Sequence, residues 1–149
     1  MNHRLSFWHN RCVAVLREEV MFESSHPKYH QYLQILMRRM SKELTGPMSG
    51  FAQLQTNSMS EGALSAGTKE LMALGIAICL HCDGCIAAHV HDALKAGASH
   101  AEILETLGVA IMMGGKPAVI HACEAFEALD QFSTSLAEEK AEVKLLDCP

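Results

Sequence analysis

Apolar residues recur at helical spacing along most of the 149-residue chain. Residues 29–44 place their large apolar side chains near a 3.6-residue period, which predicts a helix with one buried face. These side chains are Tyr29, Leu33, Leu36, Met37, Met40 and Leu44. Pro27 favours a helix start just before them, because proline fits the first turn. The Thr-Gly-Pro sequence at 45–47 then interrupts the pattern and begins a shorter helix.

The middle of the chain predicts a loop followed by two helices. Residues 56–67 are rich in Ser and Gly and predict the loop. Residues 68–80 are apolar on all sides after Glu70, which is typical of a helix buried on most sides. A helix over 85–96 follows, and Gly97 is a suitable residue to end it.

The last third of the chain continues the helical pattern. Ser99 and Glu102 form the sequence of a capping box, which predicts that a helix begins there. Residues 114–117 (Gly-Gly-Lys-Pro) end that helix and begin another, and the charged tail, 133–149, predicts a short peripheral helix or a frayed end. Since no segment alternates with period two, the sequence predicts an all-α fold of about six to eight helices.

Composition narrows the class of protein. The length suggests one domain. The chain contains 49% hydrophobic and 19% charged residues, which is typical of a soluble globular protein. A formal net charge of −5 and only 5% aromatic residues argue against a nucleic-acid partner. No secretory signal is expected, and the longest apolar run, 72–80, is too short to span a bilayer. We therefore expect a cytoplasmic protein without a membrane partner, in which a close cysteine pair is catalytic or metal-binding rather than structural.

The sequence HCDGCIAAH, residues 81–89, concentrates the chemistry. Cys85 and His89 lie about 40° apart on one helix face, one turn from each other. Cys82 lies at or just before the start of that helix and can reach the same face. The partial positive charge of a helix N-terminus stabilises a thiolate. This pattern therefore predicts a dithiol redox centre with an adjacent acid/base group.

Two other interpretations of the cysteine pair stay open on the residues alone. Zinc needs four ligands, which Cys82, Cys85, His89 and either His81 or His91 could supply. A structural zinc normally takes its second pair of ligands from a distant segment, where His121 or Cys123 could serve if the fold allows it. The two thiols could also simply fill space in the core. The remaining cysteines and histidines of interest are predicted to be structural: Cys12, Cys79, Cys123, Cys148, His91 and His121.

The spacing from Glu70 through eleven residues to Cys82-x-x-Cys85-x-x-x-His89 resembles the motif of the AhpD-like (alkylhydroperoxidase) branch of the carboxymuconolactone decarboxylase family. The resemblance covers roughly residues 45–132. It leaves an N-terminal helical extension, 1–44, and the C-terminal tail, 133–149, outside the core. Three segments carry it beyond the motif: GALSAGTKELMALGIAI at 62–78, CIAAHVHDALKAGASHAEILETL at 85–107, and IMMGGKPAVIHACEAFEALDQF at 111–132.

The resemblance implies an all-α protein that assembles as a homotrimer or homohexamer. It also implies an oxidoreductase without a bound cofactor or metal, which reduces a small hydroperoxide or a peroxiredoxin-like partner with electrons from a thiol reductant. By this resemblance Cys85 is the nucleophile and passes through a sulfenic acid, and Cys82 is the resolving thiol. His89 relays protons, and Glu70 orients the histidine or a water. Helix geometry supports pairing Cys85 with His89 but does not rank the two thiols.

The sequence also departs from the family pattern. Gly84 stands where some members carry a histidine or an aromatic residue, and His81 could compensate. Two alternative functions remain: a decarboxylase-like enzyme acting on a small lactone, and a redox-switch or zinc-binding module. Oligomerisation is expected from the chain itself, because helices 68–80 and 103–113 are more apolar than a monomer of this size needs.

Overall fold

The computed structural model describes residues 25–146, so the helix expected over the first 24 residues, together with Cys12 and Cys148, lies outside the described part. Within it the chain is entirely helical and contains no strand, which confirms the predicted all-α class. The helices are α1 (His26–Glu43), α2 (Thr45–Met59), α3 (Ala66–Cys79), α4 (Asp83–Lys95) and α5 (His100–Leu146).

The fifth helix consists of two segments joined at Gly115. This glycine adopts φ 66° and ψ −154°, a conformation that other residues rarely adopt, and Pro117 lies two residues on. The predicted break at 114–117 is therefore a sharp kink within one long element. The tail continues the second segment to Leu146, because its Ala, Glu, Lys and Leu residues are strong helix formers.

The predicted loop at 56–67 is shorter in the structure. Helix α2 runs on to Met59, and residues 60–65 form the loop. The first four positions of the predicted loop contain neither glycine nor proline, so nothing in them forces the helix to end. Gly62 is the first glycine in this stretch, and it lies inside the observed loop.

The connection between α4 and α5 matches its sequence signals. Gly97 adopts φ 89°, and the amides of Gly97 and Ala98 donate to the last carbonyls of α4, at 3.1 and 2.9 Å. The Ser99 hydroxyl accepts from the Glu102 amide at 3.2 Å, and the Ser99 amide donates to the Glu102 carboxylate at 2.7 Å. This reciprocal pair is the predicted capping box.

Helices α3, α4 and α5 form the core, while α1 and α2 contribute no fully buried residue. The largest fully buried side chains are Leu74, Ile78, Ile86, Val90, Ile103 and Leu129. The three core helices pack against one another, so α4 contacts both α3 and α5. Its N-terminus, where the two cysteines lie, is thereby held against a rigid core.

Helix α1 packs across α4 and α5 through a small aromatic cluster. The ring centroid of His30 lies 4.7 Å from that of His91 and 5.9 Å from that of Phe132. The His26 amide adds a hydrogen bond of 2.7 Å to the Gln131 side chain. Because this contact is polar and partly exposed, α1 is held by far fewer apolar contacts than the core helices.

This attachment of α1 should weaken in acid. Burial lowers the pKa of His30; a charge on His91 or Lys95 lowers it further, whereas Asp92 raises it. Docking therefore favours neutral His30. Its contribution is complete above the ordinary histidine pKa of about 6.5 and is lost as the pH falls below that value.

Hydrogen exchange of the α1 amides, corrected for the intrinsic pH dependence, measures this effect. We expect protection in α1 to fall between about pH 7.5 and about pH 5, with little change in α3. The control variant, His30→Gln, should show a smaller change. An equal pH dependence in His30→Gln would contradict the role assigned to His30.

Candidate active site

The turn that joins α3 to α4 is set by how α3 ends. The His81 amide donates to the Ile78 carbonyl at 3.2 Å, and the Cys82 amide donates to the Ala77 carbonyl at 3.1 Å. This pair of bonds is a Schellman motif, which needs a residue in the left-handed region. His81 occupies it with φ 56°, the only non-glycine residue of the described chain with positive φ. Such a residue costs on the order of 1 kcal/mol, so the turn is held by its surroundings.

Both cysteines lie at the start of α4 and are joined by a disulfide, with their Cα atoms 5.2 Å apart. Cys82 is the N-cap residue, and its carbonyl accepts from the Ile86 amide at 2.9 Å. Cys85 lies in the first turn and is exposed, whereas Cys82 is half-buried. Reduction of the disulfide would give two thiols at the positive end of the helix dipole, which favours their ionisation to thiolates.

Glu70 and His89 come together from different core helices. Glu70 extends from α3 and is the one buried charged residue of the described chain, with 9% of its surface exposed. Its Oε2 lies 2.7 Å from Nδ1 of His89, which extends from α4. A carboxylate accepts the Nδ1 proton, and this leaves Nε2 of the imidazole able to accept a proton from a reacting group.

The position of Glu70 in α3 bears on the role that the family resemblance implies for it. Helix α3 begins at Ala66 and has no acidic residue in its first turn, so Glu70 is not placed to stabilise the N-terminus of this helix. The hydrogen bond to His89 fits a residue that orients the histidine. A buried carboxylate needs such a partner to offset its desolvation.

Gly84, between the cysteines, lies against α1. A Cβ atom at this position would come within 2.7 Å of Cδ1 of Leu33 and 3.8 Å of the Tyr29 hydroxyl. Since the end of the Leu33 side chain already occupies this space, a larger residue at position 84 would require Leu33 to shift. Some family members carry a histidine or an aromatic residue at this position. The small size of Gly84 therefore allows α1 to pack on the cysteine turn.

On the opposite side of the turn the structure reveals a group that the sequence interpretation missed. The ring of His81 stacks on that of His121, with centroids 4.6 Å apart and planes inclined by 21°. Nδ1 of His121 lies 2.9 Å from Glu124 Oε2 and 3.4 Å from Asp83 Oδ1. Within this group, the sequence signals only the contact between His121 and Glu124, which lie three residues apart on one helix. His81 and Asp83 come from a distant part of the chain.

The other candidates make contacts of their own. His91 bonds Asp92 at 2.7 Å and faces His30 of α1, on a different side of α4 from His89. Cys79 is half-buried, and its sulfur lies 3.6 Å from the Ala110 carbonyl, while Cys123 is exposed. These positions do not bring His91, Cys79 or Cys123 into hydrogen bonds with Glu70 or His89.

Known proteins resemble this chain over its helical core. Residues 47–128 match the model of the carboxymuconolactone decarboxylase family. Because the match spans more than half of the chain, the protein belongs to this family, and the resemblance inferred from the motif is confirmed.

Related chains support this assignment but carry little functional information. An uncharacterized protein of Cupriavidus necator is 34% identical over 83 residues, which span 56% of this chain and 74% of that protein. Uncharacterized protein 4 of the cox locus of Paracoccus denitrificans is 36% identical over 81 residues, covering 54% and 73% of the two chains.

Two solved structures resemble the fold closely. A family protein from Legionella pneumophila superposes with a TM-score of 0.71 at 36% identity, covering 74% of this chain and 99% of that one. A family protein from Thermotoga maritima, described as a candidate for involvement in the antioxidative response, gives a TM-score of 0.68 at 29% identity. That match covers 75% of this chain and 95% of the Thermotoga chain.

The Glu70 hydrogen bond predicts a specific state of His89. In wild-type protein we expect the neutral imidazole to carry its proton on Nδ1, because the carboxylate accepts it there. Glu70→Ala should shift His89 toward the tautomer protonated on Nε2, whereas Glu70→Gln should largely keep the wild-type tautomer, since an amide oxygen still accepts. Histidine ¹⁵N NMR distinguishes the two forms.

The exposed Glu105→Gln variant serves as the control and should leave the His89 signals unchanged. If Glu70→Ala and wild type gave the same tautomer, the contact between the two side chains would not orient the imidazole.

Proposed function

We propose that the protein is a thiol-dependent peroxidase or disulfide reductase of AhpD-like type, in which Cys82 and Cys85 cycle between dithiol and disulfide. The observation that carries the proposal is the 2.7 Å bond between Glu70 and His89, one helical turn from Cys85 of a disulfide-bonded pair. A nucleophile, a resolving thiol and a carboxylate-oriented base are the groups that such chemistry requires.

In the peroxidase direction the reaction begins with the reduced pair. His89 accepts the proton of the Cys85 thiol, the resulting thiolate attacks one oxygen of a hydroperoxide, the O–O bond breaks, and Cys85 becomes a sulfenic acid. The alkoxide leaving group takes a proton, which protonated His89 can supply, and departs as an alcohol. The Cys82 thiol then attacks the Cys85 sulfur, which forms the disulfide and releases water.

A thiol reductant or a peroxiredoxin-like partner completes the cycle. Two electrons from an external dithiol reduce the disulfide through a mixed disulfide, and two protons restore the thiols. In the reductase direction the reduced pair instead transfers its two electrons to the disulfide of a partner protein. Both directions use the same residues and require no bound cofactor.

Exposure supports the assignment of roles to the two sulfurs. Cys85 is exposed and can meet a substrate or partner, while the half-buried Cys82 is suited to resolve the intermediate from within the turn. His89 shares a helix face with Cys85, at a separation of four residues. The antioxidative association of the Thermotoga relative agrees with this chemistry.

A second part of the proposal concerns assembly into a homotrimer or homohexamer. A groove of about 670 Å³ runs between α3 and the first segment of α5. Its rim carries large exposed apolar side chains, among them Ile76 at 58%, Leu80 at 72% and Met113 at 73% exposure. Contiguous apolar surface of this kind marks an interaction site, and other copies of the chain are the occupants we propose.

We also propose a cytoplasmic location. By length and composition alone, the part of α5 from His100 to Glu139 is apolar enough to cross a membrane. The core helix of a soluble protein meets the same criterion, and this segment is kinked at Gly115 and buries Ile103 and Leu129 against α3 and α4. Assembly of further copies on its exposed face accounts for the remaining apolar side chains without a bilayer.

Thiol titration before and after one equivalent of a hydroperoxide tests the proposed activity. Reduced wild-type protein should lose two thiols, mapped by mass spectrometry to a Cys82–Cys85 disulfide. Cys85→Ser should abolish this loss, and Cys82→Ser should stop at a sulfenic acid that a carbon nucleophile traps. Cys123→Ser, at another exposed cysteine, is the matched control and should react as wild type.

Full peroxide reduction by Cys85→Ser would overturn the proposal. Turnover of a small lactone that survives replacement of both cysteines would favour the decarboxylase alternative instead. A reversible disulfide without turnover of any hydroperoxide or partner disulfide would favour the redox switch.

The proposed assembly predicts the effect of a charge in the groove. Ile76→Glu should dissociate the oligomer, because a carboxylate would be buried in an apolar contact. Leu54→Glu, at an exposed leucine of α2, should not change the mass. Light scattering at micromolar concentration measures both, and a monomeric mass for the wild type would contradict the assembly.

A further inference from the structure

Three metal-ligating side chains converge beside the cysteine turn, from two different helices. Asp83 is the first residue of α4, and His121 and Glu124 lie on α5 beyond its kink. One donor atom from each residue lies within 4.8 Å of the other two. The described chain offers no other such group of three.

The geometry gives two carboxylates the same protein partner. Both carboxylates approach the same atom, Nδ1 of His121, with Glu124 at 2.9 Å and Asp83 at 3.4 Å. A ring nitrogen carries at most one proton and can make one well-directed hydrogen bond. A cation between the three atoms would interact with both carboxylates and with the nitrogen lone pair at once. The two negative charges would balance the double positive charge of a divalent cation.

The histidine is also held in place from one side. The ring of His81 stacks on that of His121 at 4.6 Å, and the end of α3 fixes the backbone of His81 in the left-handed region. The His121 side chain is 20% exposed, while Glu124 and Asp83 are 39% and 60% exposed. A fixed imidazole with carboxylates open to solvent provides both a preorganised ligand and a path of entry.

We propose that Asp83, His121 and Glu124 bind one divalent first-row metal ion, with water completing the coordination. One imidazole and two carboxylates suit zinc and its neighbours better than calcium, which prefers oxygen ligands alone. This site differs from the zinc site that the sequence left open at Cys82, Cys85 and His89, because it uses no thiolate ligand. It goes beyond the proposed redox function and does not depend on it.

Binding would act on the cysteine turn. Asp83 lies between Cys82 and Cys85 in the chain, so the ion would fasten this turn to α5. It would also place positive charge near the sulfur atoms, which favours thiolates once the disulfide is reduced. An ion that binds only the folded chain raises its melting temperature.

Zinc titration of the metal-free, disulfide-bonded full chain tests the proposal, with isothermal calorimetry and the melting temperature as readouts. Using the oxidised protein prevents Cys82 and Cys85 from acting as ligands. Cobalt substitution is the second probe, because thiolate ligands from any other cysteine would produce a charge-transfer absorption band. His100→Ala is the matched control, since His100 pairs with Asp130 on the same helix at 3.8 Å.

We expect one equivalent of zinc in wild type and in His100→Ala, together with a higher melting temperature. His121→Ala should weaken binding at least about tenfold, the equivalent of about 1.4 kcal/mol. Asp83→Asn and Glu124→Gln should weaken it similarly, and these nearly isosteric substitutions keep the test valid if His121→Ala does not fold. Absence of stoichiometric binding, undiminished binding in all three variants, or a cobalt–thiolate band would each overturn the proposal.

Discussion

A carboxylate buried between two core helices is the constraint on which the site depends. Removing a charge from water is costly unless hydrogen bonds offset the loss, and for Glu70 the imidazole of His89 provides that bond at 2.7 Å. The pair links α3 to α4 through a polar contact inside an otherwise apolar interface. It also gives a hydrogen-bond partner to the one histidine that shares a helix face with Cys85, so the packing of the core and the proposed chemistry involve the same contact.

The connection between α3 and α4 is short. The Schellman motif at His81 ends α3 and delivers the chain directly to Cys82, the N-cap of α4. Both sulfurs are thereby placed at the positive end of a helix whose other face is buried in the core. The left-handed conformation of His81 also positions its ring on His121, so one strained residue serves both the turn and the cluster beside it.

Helix α1, which precedes the residues that match the family model, forms part of the surroundings of the cysteine turn. The family match begins at residue 47, but Leu33 and Tyr29 of α1 already lie over Gly84, between the cysteines. The helix is held there by His30, His91 and Phe132 rather than by buried aliphatic side chains. A helix attached in this way can detach when the pH falls while the core helices keep their packing.

The sequence by itself determined the features that depend on neighbouring residues. Helical periodicity predicted the all-α class, Gly97 and the Ser99/Glu102 pair marked a helix boundary, and the four-residue spacing paired Cys85 with His89. Local patterns also misjudged where α2 ends, because a run of polar residues without glycine or proline does not stop a helix. The roles of the two thiols and the state of assembly stay predictions.

Only the tertiary structure decided which distant side chains meet. The bond between Glu70 and His89, the packing of Leu33 on Gly84, and the group around His121 each join residues from separate helices. Helical periodicity does not reveal these contacts, because helix packing sets them through the shape of the buried faces; the role of Glu70 toward the histidine was expected only from the family resemblance. Periodicity shows which side of a helix is buried, but the angle and register at which the helices pack determine the partner.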